Sequence, residues 1–153
     1  MKSQKIIPLT IGVLVIVVAV LFGVRYFFVP TTVIYGEIVP PEPDSTLNNS
    51  TLAGVDVNKN GVRDDVERLL VKEFGSNQAK FLEAMKYARA EQAAIVNPTR
   101  ENIAISNELV ECTSLTSDEL NPSTHLLLNT TERSHAYGMA FAGEVITIRD
   151  DCK

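Results

Sequence analysis

Residues 56–67 read "DVNKNGVRDDVE": four carboxylates and two asparagines in twelve positions, with a central glycine, followed by the apolar run "RLLVKEF" at 68–74. The reading of this stretch decides the fold. Asn60-Gly61 is a strong short-range signal for a two-residue β-hairpin. A hairpin requires a strand after its turn, and "VRDDVERLL" carries a helical pattern instead. Val66, Leu69, Leu70 and Phe74 recur at i, i+3, i+4 and i+8, one face of a helix ending at Gly75. The first turn of that helix is acidic, as the positive end of a helix dipole favours. The stretch is therefore a polar loop running into a helix.

The dipole accounts for Asp64 and Asp65 but not for Asp56, Asn58 and Gly61 at their places. Those positions match D-x-[DN]-x-[DN]-G-x5-E throughout. Asp56 stands first, Asn58 third, Asn60 fifth, Gly61 sixth, Asp64 ninth and Glu67 twelfth, while Val62 at the seventh place offers its backbone carbonyl. Calcium is a hard cation that takes six to eight oxygens at about 2.3–2.6 Å. Alternate residues of a tight loop point inward, and a glycine at the sixth place permits the left-handed turn. A glutamate in the first helical turn closes the sphere. At background residue frequencies the match arises on the order of 10⁻⁶ to 10⁻⁵ per start position. The metal ligands expected are thus Asp56, Asn58, Asn60, Val62, Asp64 and Glu67, with Ca²⁺ as the ion.

The stretch resembles the calcium loops of EF-hand and dockerin-type modules. The surrounding "PPEPDSTLNNSTLAGVDVNKNGVRDDVERLL" is similar to a segment of small exported bacterial proteins of unassigned function. Arg63 fills the eighth place, where an EF-hand usually carries an aliphatic residue that pairs with a sister loop. "STLNNSTLAG" supplies no amphipathic helix ahead of the loop, and no second loop is present. The resemblance implies a lone, mainly structural calcium loop with the weak affinity of extracellular modules, roughly 10⁻⁴–10⁻³ M.

Ahead of this segment, residues 6–24, "IIPLTIGVLVIVVAVLFGV", hold no charge and as a helix reach roughly 28 Å, close to a bilayer core. Aromatic residues of "YFFV" follow Arg25 at the expected interface. The apolar run exceeds an ordinary signal-peptide h-region, and no small-x-small cleavage pattern follows. Lys2 and Lys5 precede the segment, so the N-terminus is expected in the cytoplasm and the remainder exported, periplasmic or extracellular. The expectation is a single-pass protein of a bacterial inner or cytoplasmic membrane, embedded through residues 6–29. Residues 1–29 form the anchor, 30–54 a linker with four prolines, and 55–153 the calcium loop with a helical domain. "TTVIYGEIV" can pair as a short strand before "PPEP" stops it.

Beyond the loop the pattern is helical. "SNQAKFLEAMKYARAEQAAIV" has Phe81, Met85, Ala88 and Ile95 as its inner face. "NPTRENIAISNELVEC" opens with Asn97 as N-cap and Pro98 at the first helical position, burying Ile105, Leu109 and Cys112. A second Asn-Pro start, Asn121-Pro122, opens one long final helix interrupted at Gly138 and Gly143. The fold class expected is all-α, a small bundle of about four helices.

Three of the fourteen Lys and Arg lie in the first thirty residues, leaving eleven against all nineteen Asp and Glu. An acidic exported domain suits cations and not nucleic acid. The two cysteines, Cys112 and Cys152, fit one disulfide in an oxidising compartment. His125 and His135 lie about 80° apart on a helix, no ligand pair, with His125 partly buried and His135 exposed. No G-x-S-x-G, HExxH or phosphate-binding glycine loop occurs. The expected role is therefore structural or interactive, with an envelope protein as partner, and not enzymatic. The rival reading is a small-ligand binder or enzyme that uses calcium only as scaffold, with its site near His125, Glu132 and His135. An assembly subunit would instead expose an apolar surface around Tyr137 and Phe141.

Overall fold

The computed structural model of the chain describes residues 32–143. The anchor segment and Cys152 lie outside the described residues. In chain order the elements are β1 (Thr32–Ile34), β2 (Glu37–Val39), α1 (Ser45–Asn48), α2 (Asp64–Phe74), α3 (Gln78–Val96), α4 (Arg100–Cys112), α5 (Ser117–Leu127) and α6 (Thr131–Ala140). Among the described residues the architecture is helical, with a single two-stranded antiparallel ribbon. None of the described helices is long and apolar enough to cross a membrane.

The 19-residue α3 is the central element; α2, α4, α5 and α6 all pack on it. Phe81, Met85, Ala88 and Ile95 are buried, as their spacing predicts. They meet Val66, Leu70 and Phe74 of α2 and Leu120 and Leu127 of α5 in one core cluster. Val62, within the polar loop, is buried in the same cluster and anchors the loop to it.

Residues 32–54 are not a free spacer. They fall within the compact unit that begins at Thr32 and contains the helices. Strands β1 and β2 pair with Ile34 opposite Glu37, joined by Tyr35-Gly36 at φ 51° and 92°. Both turn residues thus take the positive φ of a tight hairpin, which is uncommon for a tyrosine. Tertiary contacts hold Tyr35 there. Its hydroxyl donates to the Gly75 carbonyl at 3.0 Å, and its ring lies 5.8 Å from that of Phe81. Pro40 is buried, and its carbonyl accepts from Arg68 of α2 at 3.1 Å. A proline-rich composition signals an extended chain but not whether that chain is free or packed.

Two helix starts differ from the Asn-Pro positions because a second capping signal competes at each. Thr99, not Asn97, caps α4, its hydroxyl accepting from the Asn102 N–H at 3.1 Å. Asn97 closes α3 instead, donating to the Ala93 carbonyl. The inner face of α4 is Ile103 and Ser106, whereas Ile105 is 44% exposed and Leu109 and Cys112 are half-buried. Ser106 turns inward because Glu91 of α3 needs a donor there; the two meet at 2.6 Å. Thr116 and Glu119 form a reciprocal capping box that starts α5 ahead of Asn121, so Pro122 falls inside the helix. The long final helix is broken at 128–130, where Thr130 caps α6. Gly138 lies within α6, and Gly143 follows it at φ 88°. Cys112, at the end of α4, is disulfide-bonded.

Candidate functional site: the loop at residues 56–67

The structure gathers Asp56, Asn58, Asn60, Asp64 and Glu67 into one tightly wound loop between the hairpin and α2. Asp56 accepts from two backbone N–H groups, Asn60 at 3.2 Å and Gly61 at 2.9 Å. Asn58 Oδ1 also accepts from the Asn60 N–H, and Asn60 Oδ1 accepts from the Val62 N–H at 2.9 Å. Such side-chain-to-backbone bonds two residues on are the means by which Asn and Asp fold a chain tightly. Gly61 has φ 86°, the left-handed conformation expected, and Lys59 has φ 57°. A Cβ at Gly61 would also stand 3.2 Å from Arg89 Cγ.

Two carboxylates of the loop are buried almost completely: Asp64 is 1% exposed and Glu67 0%. Asp64 Oδ1 accepts from the Val57 N–H at 3.0 Å, while Oδ2 is a buried oxygen without a hydrogen-bond partner. Burial raises the pKa of Asp64, and nearby Asp56 raises it further. Glu67 accepts from the amides of Asn58 at 3.0 Å and Asn60 at 2.9 Å. Burial nevertheless pushes its pKa to about 7, with Glu37 and Asp64 adding repulsion. Among the described residues, no Lys or Arg forms an ion pair with Asp56, Asp64 or Glu67.

Among the described residues, no group of three or more His, Cys, Asp and Glu side chains is arranged to hold a metal ion. The donor set expected from the sequence is mixed, with three carboxylates, two amides and one carbonyl. In the structure the Nδ2 groups of both asparagines, not their oxygens, face Glu67.

Several residues that shape this loop were not legible in the sequence. Glu37, on β2, accepts from Asn60 Nδ2 at 3.2 Å, and the Ile38 carbonyl accepts from Asn58 Nδ2 at 2.8 Å. Arg89, on α3, donates through Nε to the Asn60 carbonyl at 2.6 Å and lies 3.6 Å from Glu37. Arg63 fills the eighth loop place and is fully buried. It pairs with Asp65 at 2.8 Å and donates to the Leu126 carbonyl at the end of α5. The departure at that place was visible in the sequence, and its use is intramolecular: the loop docks on its own helices.

Arg133, also fully buried, inserts from α6 into the turn preceding the loop. It donates to the carbonyls of Asn48, Thr51 and Leu52 and to the side-chain oxygens of Asn49 and Asn129. Burial lowers its pKa to about 10, with Arg63 contributing.

The residues of the rival site lie at the surface. His125, Glu132 and His135 are all exposed, including His125, which was expected to be partly buried. A surface cleft lies elsewhere, lined by Val39, Arg68, Leu69, Val71, Lys72 and Leu126 among others. Tyr137 and Phe141 are half-buried, their tilted rings 4.5 Å apart between centres, and Met139 between them in sequence is 67% exposed.

No protein-family model matches the chain, and neither a curated protein nor a solved structure matches it.

Proposed function

We propose that residues 56–67 bind one calcium ion, and that the chain is a membrane-anchored envelope protein whose exported helical domain has a structural or protein-interaction role. The observation that supports the ion is the pair of buried carboxylates, Asp64 and Glu67, with one oxygen unpartnered and, among the described residues, no cationic side chain paired with either. Burying a carboxylate without a counter-charge is costly, and a divalent cation removes that cost. Calcium would supply two positive charges and a preference for six to eight oxygen donors.

Asp56, Asp64 and Glu67 provide the negative charge. Asn58 and Asn60 provide amide oxygens once their Nδ2 groups give up Glu67, and Val62 offers its carbonyl while its buried side chain fixes the loop. The donor set suits calcium better than magnesium, which keeps several of its waters. Export follows from the apolar segment 6–24 and the lysines ahead of it, and the bilayer and an envelope protein are the partners this reading implies.

Binding selective for the folded state adds RT ln(1 + [L]/Kd), about 1.4 kcal/mol at tenfold excess over Kd. Thermal melting of the full-length chain in mild detergent, with calcium and with chelator, tests the assignment. A calcium-dependent rise of several degrees is expected in the parent chain and not in Glu67→Gln or Asp56→Ala. An equal rise in both variants would refute it.

A further inference from the structure

The two asparagines at the third and fifth loop places do more than line the loop. Asn58 Nδ2 bonds both Glu67 and the Ile38 carbonyl, at 3.0 and 2.8 Å. Asn60 Nδ2 bonds both Glu67 and Glu37, at 2.9 and 3.2 Å. Each amide thus ties the buried carboxylate to strand β2, at positions 20 and 23 residues before Asn58 and Asn60. Arg89 ties the same parts from the α3 side, through the Asn60 carbonyl and Glu37.

We propose that Glu37 belongs to the cation site as a carboxylate supplied from outside the loop, so that ion binding and docking of the β1–β2 hairpin strengthen each other. The inference rests on the calcium reading above. Its first support is proximity: one amide group separates Glu37 from Glu67. Its second is charge. Glu37 and Glu67 are two carboxylates held against the same Asn60 amide, at 3.2 and 2.9 Å, and a divalent cation beside them attracts both.

The third support is the hairpin's weak hold. A ribbon of two three-residue strands is marginal by itself. Tyr35 pins the turn end to Gly75 and Phe81, whereas Glu37 and Ile38 pin β2 to the loop. A cation shared by Glu37 and Glu67 therefore acts on the attachment of β2 to the loop. Coupling of this kind is reciprocal: if the ion tightens the hairpin, the hairpin tightens the ion by the same factor.

Calorimetric titration of the full-length chain in mild detergent with calcium chloride tests the assignment, together with hydrogen exchange of the amides of residues 34–39. Glu37→Gln is expected to weaken calcium binding about 3- to 10-fold. Glu42→Gln removes a carboxylate that pairs with Arg68 and should leave affinity unchanged within about twofold. Calcium should slow exchange in the hairpin of the parent chain and do so much less in Glu37→Gln.

Binding lost in Glu67→Gln but unchanged in Glu37→Gln, with hairpin exchange indifferent to calcium, would overturn the role of Glu37 and leave the calcium loop intact. Absence of calcium binding in the parent chain would instead overturn the loop assignment and this inference with it. The exchange measurement on the parent chain needs no variant to fold.

Discussion

Two regions of the molecule bury carboxylates, and they do so in different company. At the seam of α3 and α4, Glu91 is 2% exposed and stands against the Ser106 hydroxyl at 2.6 Å. Its pKa is raised by burial, with the Ser106 bond working against the rise. In the loop, Asp64 and Glu67 are at least as deeply buried, lie near Asp56 and Glu37, and leave one oxygen unpartnered. At Glu91 a single carboxyl faces a single hydroxyl, and burial shifts its pKa upward, toward the protonated form. In and beside the loop several carboxylates raise one another's pKa, a repulsion that the cation proposed above would remove. Depth of burial by itself therefore distinguishes nothing; the number of charges and the number of unfilled lone pairs do.

The comparison can be broken most forcefully through what the two regions share. Phe81 is fully buried in the core and touches Tyr35 of the hairpin. Phe81→Ala should cost about 3–5 kcal/mol in chemical denaturation, with calcium or with chelator, and should also loosen the hairpin. A loss restricted to one condition would show that the core and the loop are less connected than their contacts indicate.

Next comes a substitution whose effect should depend on the medium. Asp64→Asn removes a buried charge, so in chelator it should melt no lower than the parent chain. In calcium at tenfold excess over the parent Kd it should lose the increment of about 1.4 kcal/mol. A large loss in chelator would show that the Asp64 charge serves the fold without an ion.

At Glu91 the expected signature is pH. Its folded pKa lies above its ordinary value of 4.5, so the folded state binds more protons than the unfolded chain. Its contribution to stability is present below about pH 4.5, falls as pH rises through the folded pKa, and is level above it. Glu91→Gln should flatten that part of the pH–stability curve, measured in chelator. A curve identical to that of the parent chain would remove Glu91 as its source.

The smallest effect expected is at Thr116, whose side chain and that of Glu119 satisfy each other's backbone N–H groups. Thr116→Ala should cost about 1 kcal/mol, equally with calcium or chelator. Dependence on calcium would mean that α5 reports on the loop, through the bond of Arg63 to Leu126.

Much of the fold was legible in local pattern. The faces of α2 and α3 were readable because apolar residues at helical spacing bury themselves wherever a partner surface exists. The left-handed glycine of the loop was readable because few other residues take positive φ at low cost. The start of α5 was also written in the sequence, since Thr116 and Glu119 make a capping box, but the Asn-Pro pair five residues later was the more conspicuous signal. The inner face of α4 was not legible. Its choice of Ile103 and Ser106 over Ile105 and Leu109 depends on Glu91, which lies on another helix.

What the sequence determined by itself was the helical character of residues 64–140, the tight turn of the loop and the set of oxygen-bearing side chains that the turn brings together, since each depends on neighbours a few residues apart. What only the tertiary structure decided was that residues 32–54 are packed rather than free, that Arg63 and Arg133 point inward, and that Glu37 and Arg89 stand beside the loop. Those outcomes join residues twenty to eighty positions apart. They depend on which buried charge needs a partner and which surface can supply one, and no local spacing encodes that.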